Sequence, residues 1–310
     1  ATASCNWLKI ETSARAIGMG GAFVAAGEGI SGIPYNPASI AFIKKSEGYY
    51  SRSNYIAGIT HNVMSYGLKL GSSDYFGAHL FYLDSGLMDV TNEWYPDGTG
   101  EEFKVISMAF RMTYGRRMTD RLKLGVSINY IRDEIYTTAM QTLAFDVGSN
   151  FDTGIYGFIL GMSVTNFGPE VRYHGEGLDV QVPGELNADS TLAKVTKKFP
   201  LPLTFRLGVK NDIMGPEGTF IKDSTHRLTV SVDGINPSDY TVYGSVGCEY
   251  GWRDFAFLRA GTHLGHDTAG LSVGGGVKVK TRGLGVSVDY AFVDYGILKM
   301  THQVGLSLEF

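Results

Sequence analysis

From residue 47 onward the chain alternates apolar and polar residues, segment after segment, with the period of two that belongs to β-strands. In one stretch Leu284, Val286, Val288, Tyr290 and Phe292 share a face, while Gly285, Ser287, Asp289 and Ala291 share the other. Residues 300–310 repeat the pattern, with Met300, His302, Val304, Leu306, Leu308 and Phe310 on one side. Fourteen strands are predicted, near 47–57, 59–70, 75–84, 104–115, 122–133, 141–150, 155–166, 201–212, 225–234, 241–251, 255–264, 269–280, 283–293 and 299–310. Each is close to the ~9–11 residues that cross a bilayer at a tilt.

A soluble sandwich alternates too, so the character of the two faces decides. Its outward face would carry many Lys and Glu. Here the polar face is mostly Gly, Ser and Thr with sparse charges, and the apolar face is broad, aromatic-tipped and repeated on nearly every strand. Gly contributes 41 of 310 residues, roughly double the ~7% of average usage. So many apolar faces overfill one sandwich core but suit a wall bathed in lipid. Lipid also requires every backbone N–H and C=O to be paired, which closure achieves. The predicted fold is all-β: a fourteen-stranded antiparallel transmembrane barrel over 47–310, preceded by a segment 1–46 that does not alternate.

Connection lengths agree. With the last strand running towards the periplasm, the turns at 71–74, 116–120, 150–154, 251–254 and 280–283 are short, and the connections 84–103 and 167–200 on the opposite side are long. The stretch 212–224 is the exception, either an elaborated turn or a slip in strand count.

Several chemistries are set aside on pattern. Net charge is −4 with no Lys/Arg run, so nucleic acid is not an expected partner. No apolar run approaches a transmembrane helix, and Cys5 and Cys248 read as free or partly buried thiols. The stretch 270–274 satisfies G-x-S-x-G, but Ser272 lies within an alternating strand rather than at a strand-to-helix turn. Parity sends Asp289 and His302 to opposite faces, and His263 and His266 lack companions at zinc-site spacing. The acidic residues of 84–103 lack a calcium-loop pattern, and Gly18, Met19, Gly20 and Gly21 do not complete a dinucleotide fingerprint. No catalytic residue, metal or cofactor is expected. The inward charges Arg111, Arg206, Arg227, Asp233, Glu249 and Asp289 are expected to pair across a filled lumen, because buried charges need partners.

Residues 1–46 are rich in Gly and Ala, suited to close packing in a confined space, and are expected to fold inward as a plug. The stretches 13–25 (SARAIGMGGAFVA) and 35–42 (YNPASIAF) resemble the N-terminal signature of the PorV/PorQ family, a branch of the FadL-like outer-membrane barrels. Residues 288–310 are similar to that family's closing hairpin. The resemblance implies an inward hatch with Asn36, Pro37 and Ala38 at its core, and Phe310 as a terminal aromatic read during barrel assembly. It also implies residence in the bacterial outer membrane, with outer-membrane lipid around it, after removal of a signal peptide. Its functional implication is docking or shuttling in type IX-like protein secretion, with a machinery subunit or secreted cargo as partner. FadL relatives imply the alternative, passage of a hydrophobic small molecule.

Overall fold

The computed structural model describes residues 3–182 and 190–310. Fourteen antiparallel strands close into a barrel. They are β1 (Ser46–Asn54), β2 (Thr60–Lys69), β3 (Asp74–Asp84), β4 (Val105–Arg117), β5 (Leu122–Ile135), β6 (Thr138–Asp152) and β7 (Ile159–Phe167) in the first half. The second half is β8 (Thr204–Gly215), β9 (His226–Pro237), β10 (Tyr243–Trp252), β11 (Ala256–Leu264), β12 (Leu271–Thr281), β13 (Leu284–Asp294) and β14 (Met300–Glu309). Each pairs with its neighbours in sequence, and β1 closes the ring on β14 with Glu47 opposite Glu309 and Asn54 opposite His302. Closure leaves no sheet edge along most of the wall, as an apolar surround demands.

Alternation translates directly into the two surfaces. Val126, Ile128, Phe145, Val147, Val288 and Val304 are exposed on the outer wall, while the intervening Ser127, Asp146, Asp289 and Gln303 are buried inside. The stretch 212–224 is an elaborated turn: β8 runs on to Gly215, and Ile221–Lys222 folds back parallel to Met214–Gly215, so the strand count holds. Two boundaries differ from the sequence expectation. Residues 155–158 form an exposed turn, and β7 begins at Ile159. The strand expected from 201 begins only at Thr204, and Leu201 before it is buried inside. Pro200 and Pro202 have no N–H to give to a ladder, which keeps that stretch out of the sheet.

Residues 3–45 lie within the barrel. We call the end where Ser46 meets Phe310 the terminal end, and the opposite mouth the far end. The hatch starts near the far end, where Ser4 N donates to Pro200 O at 2.9 Å and Trp7 stacks on Phe81 with ring centroids 5.5 Å apart. It descends through a short helix, α1 (Ala14–Gly18), capped by Ser13, whose side chain accepts from Ala16 N. Past a tight turn at Gly20 and Gly21 it winds around the inside and leaves through a 3-10 turn at Pro37–Phe42. Phe23, Met19, Ile30, Ile33 and Ile40 are all fully buried, each worth about 1.5–3 kcal/mol removed from water.

The wall makes room for this segment with glycine. A Cβ on Gly125 would lie 2.3 Å from the Pro37 carbonyl carbon, and one on Gly161 would lie 2.5 Å from Val24 O. On the other side of the barrel, Cβ atoms on Gly247 and Gly261 would each come within 2.2 Å of the Met19 carbonyl group. These contacts are with backbone, which cannot swing aside. Gly261→Val is therefore expected to destabilise the folded barrel by at least about 1–3 kcal/mol. Gly275, on the outer face of β12 with nothing nearer than 3.5 Å to its Cβ position, should tolerate alanine within about 0.5 kcal/mol. Thermal unfolding of the two variants in detergent checks the contrast, and equal stability would contradict the fit.

Candidate functional site

Among the charged residues on the inner face of the wall, Glu249 and Asp233 bond directly to the hatch. Glu249, buried on β10, accepts two hydrogen bonds from Arg15 of α1, Nε at 2.7 Å and Nη2 at 2.9 Å. The same carboxylate takes Arg259 Nε at 2.6 Å and Arg227 Nη2 at 3.3 Å. Arg259 continues through Nη1 to Asp289 at 2.6 Å. A planar guanidinium fork on a carboxylate fixes orientation as well as charge, so this chain holds α1 against β10, β11 and β13.

Asp233 works through backbone instead: its Oδ2 accepts from Phe23 N at 2.7 Å and Val24 N at 2.8 Å. Arg111 pairs with Asp146 at 2.9 Å. Arg206 donates to Thr165 Oγ1 at 3.2 Å and makes no ion pair among the described residues. Two hatch charges, Arg15 and Glu28, were missed at the sequence level. Glu28 meets Lys210 of β8 at 2.5 Å. The available signal was their position, since a charge inside a small-residue plug needs a partner in the wall.

Asn36 is fully buried and ties the hatch to itself and to the wall. Its Nδ2 donates to Val24 O and to Ser149 O of β6, both at 2.9 Å, and its Oδ1 accepts from Ala38 N at 3.0 Å. Pro37 and Ala38 are buried beside it, and Gly18, Met19, Gly20 and Gly21 form the turn that passes β10 and β11. Ser272 is buried within β12, Asp289 points inward to Arg259, and His302 is outside, bonded through Nδ1 to Tyr290 OH at 2.7 Å. Neither serine nor aspartate meets that histidine, so the three make no hydrolytic constellation. Cys5 and Cys248 are free.

Space is distributed unevenly. Beside the first hatch turn, between Trp7, Thr12, His79 and Arg111, the gap is about 20 Å³, on the scale of one water. At the terminal end a chamber of about 660 Å³ opens below the hatch, lined by Arg15, Glu28, Glu249, Arg259, Lys278 and Asp289. Arg15, Glu249, Arg259 and Asp289 in its lining are paired with one another, and Phe42, Tyr49, Phe257 and Leu284 line it as well.

The wall itself is interrupted beside β6. Pairing of β6 with β7 shifts register between Phe145 and Val147. The inward Asp146 carboxylate sits at the shift and gathers Arg111 Nε, Asn129 Nδ2 at 2.8 Å and Asn166 N at 2.7 Å. Asn166 has φ 63°, a left-handed conformation that asparagine tolerates better than most residues. There the ladder stops: β7 ends at Phe167 opposite Phe145. Pairing on that side of β6 resumes only where His174–Gly175 meets Thr138–Ala139, so residues 140–144 have β5 on one side and no strand on the other among the described residues.

A cleft of about 730 Å³ occupies the gap, reaching from Arg132 and Gln141 outside to Met140 and Thr142. Behind it lies an apolar cluster in which Met140, Ala144, Val171 and Leu201 connect to Ile131, Phe81 and Cys5. The connection 167–200, expected to be long and on the side opposite the periplasm, turns inward at Val171, which pairs with Phe199 as an isolated bridge. Residues 183–189 of that expectation lie outside the described residues.

No family model matches the chain, and no curated protein matches it in sequence. Solved structures do match in fold. The CymD monoaromatic hydrocarbon channel and the Pseudomonas putida toluene transporter TodX each superpose with TM-score 0.60 at 12% identity, over 96% of this chain and 97% of theirs. A Pseudomonas aeruginosa FadL homologue superposes with TM-score 0.54 at 12% identity, over 96% of this chain and 98% of its own. The architecture is therefore a FadL-like barrel.

Two outcomes follow from the buried groups. Removing Glu249 leaves Arg15 without its anion and Arg259 with Asp289 alone, so Glu249→Ala should cost about 3–5 kcal/mol and expose the hatch to protease in folded barrels. Arg15→Lys keeps the charge but loses the fork, and should fall between Glu249→Ala and the parent chain. Burial pushes the Cys5 thiol up to about 12. Maleimide should leave Cys5 unlabelled in the folded protein at neutral pH and label it fully in denaturant, as mass spectrometry of the N-terminal peptide would report.

Proposed function

We propose that this chain is an integral outer-membrane channel for a hydrophobic small molecule, which crosses the wall sideways through the gap beside β6. The observation that carries the reading is the junction of that gap with the apolar cluster behind Met140 and Val171. A ligand leaving lipid-like surroundings meets apolar side chains there, whereas the axial route ends in paired charges at the terminal end. The fold likeness to CymD and TodX supports the same assignment, since both are described as carriers of aromatic hydrocarbons. On this reading the hatch, with Asn36, Pro37 and Ala38 packed against β5 and β6, is the element that directs traffic into the wall. Phe310, whose N–H donates to Ser46 O at 3.0 Å, serves closure and assembly.

Docking to a protein-secretion apparatus is the second reading. The filled lumen favours it, because a docking protein needs no conduit. The similar solved structures favour transport.

Uptake separates them. Cells producing the chain in a host without its own hydrocarbon channel should accumulate radiolabelled toluene several-fold faster than cells carrying an empty vector. Ala144→Trp, which fills the inner side of the gap, should return uptake to the background rate while the barrel remains folded. Unchanged uptake with the intact chain, together with recovery of a stoichiometric secretion partner from native membranes, would establish docking instead.

A further inference from the structure

The gap beside β6 has a second property that transport of an apolar molecule does not use. Its outer lining is basic. Arg132, Arg172 and Lys198 face the cleft of about 730 Å³ together with His174, and Glu170 is the acid among the lining residues. Glu134 accepts from Arg132 Nη2 at 2.8 Å, a second acid that leaves the three cations one positive charge in excess.

The level of these charges on the wall is informative. Along β5 the outward residues run Val126, Ile128, Tyr130 and then Arg132; along β6 they run Val147, Phe145, Leu143 and then Gln141. The apolar belt therefore ends at Tyr130 and Leu143, with Tyr130 OH donating to Gln141 Oε1 at 2.9 Å. An aromatic ring with a polar tip marks the boundary between hydrocarbon and headgroups in transmembrane barrels. The basic cleft begins one step beyond it, Leu143 and Phe145 lie exposed directly below, and Met162 is exposed further down, opposite Ser149.

We propose that this cleft binds the phosphorylated headgroup of an anionic lipid of the surrounding leaflet, whose acyl chains lie along Leu143, Phe145 and Met162. Guanidinium forks match phosphate geometry, and an excess of positive groups in a concave site at headgroup depth attracts an anion held in the membrane plane. The bound lipid would form the outer lip of the gap, adjoining the stretch of β6 that is paired with β5 alone. This site stands apart from the transport reading: it needs only the barrel, its belt and the three cations.

Native mass spectrometry of the detergent-extracted barrel tests the proposal, with a bisphosphorylated glycolipid (lipid A) as probe and inorganic phosphate as a second arm. The intact chain should retain the glycolipid. The triple variant R132Q/R172Q/K198Q should bind it more weakly by roughly fivefold per cation, on the order of a hundredfold in all. R116Q, which removes an exposed charge near the terminal end, should bind as the parent does and controls for net charge. Should the triple variant fail to fold, R172Q alone is expected to show its roughly fivefold share. Equal binding by the parent and the folded variant overturns the proposal. So does displacement of the glycolipid by millimolar phosphate, which would identify a site for free anions.

Discussion

Backbone against backbone is the contact on which this molecule depends. The hatch does not sit loosely in a preformed pore; its peptide groups at Met19, Val24 and Pro37 touch the barrel wall where the wall has no side chains. Glycines at Gly125, Gly161, Gly247 and Gly261 make that approach possible on separate strands. A transmembrane barrel of this size must fill its interior with something, and water-filled or side-chain-filled lumens are the usual solutions. Here a forty-odd-residue segment supplies the filling, and the wall is thinned to receive it.

Once the backbones are that close, polar groups between them lose water and must find each other. The ion pairs follow from this. Glu249 is almost fully buried, and the two guanidinium groups at 2.6–2.7 Å compensate a charge that would otherwise be costly to hold. Asp233 and Asn36 do the same for peptide groups of the hatch. These links lock position more than they add net stability, because desolvation offsets much of the attraction. The consequence is a lumen whose polar groups are tied to the hatch, whereas beside β6 the ladder of the wall itself is interrupted.

Much of the barrel was legible in the sequence, and the reasons are specific. Period-two alternation survives on every strand because one face meets lipid and the other the lumen, so burial alternates residue by residue along β5 and β6. Where that rule fails, a local cause is visible: Pro200 and Pro202 delay β8, and Leu201 is drawn inside to cap the hatch. Paired lumen charges were expected, but Arg15 and Glu28 were not identified as partners of wall residues, since contacts across 234 and 182 residues of sequence leave no periodic trace. The gap was invisible for a related reason. Alternation continues unbroken along β6, and it is the partner strand that ends. The glycines appeared only as small residues on the polar face; which of them meet the hatch depends on its path.

The structure thus ties three features together: a wall fitted to its plug, a plug latched by buried charges, and a gap at the place where the fit to a neighbouring strand is given up. The first of these underlies the others and can be tested by covalent trapping. Ala14 Cβ lies 3.4 Å from the Cβ position on Gly305, next to the Cβ–Cβ range of about 3.5–4.5 Å that disulfides occupy, and Tyr49→Phe, included in the test, removes the hydroxyl that stands 2.8 Å from that position. With Ala14→Cys and Gly305→Cys in a background lacking the native thiols, oxidation in intact membranes should cross-link α1 to β14 almost completely while the barrel stays folded. Two thiols that remain free and reactive in a folded barrel would contradict a hatch seated against the wall.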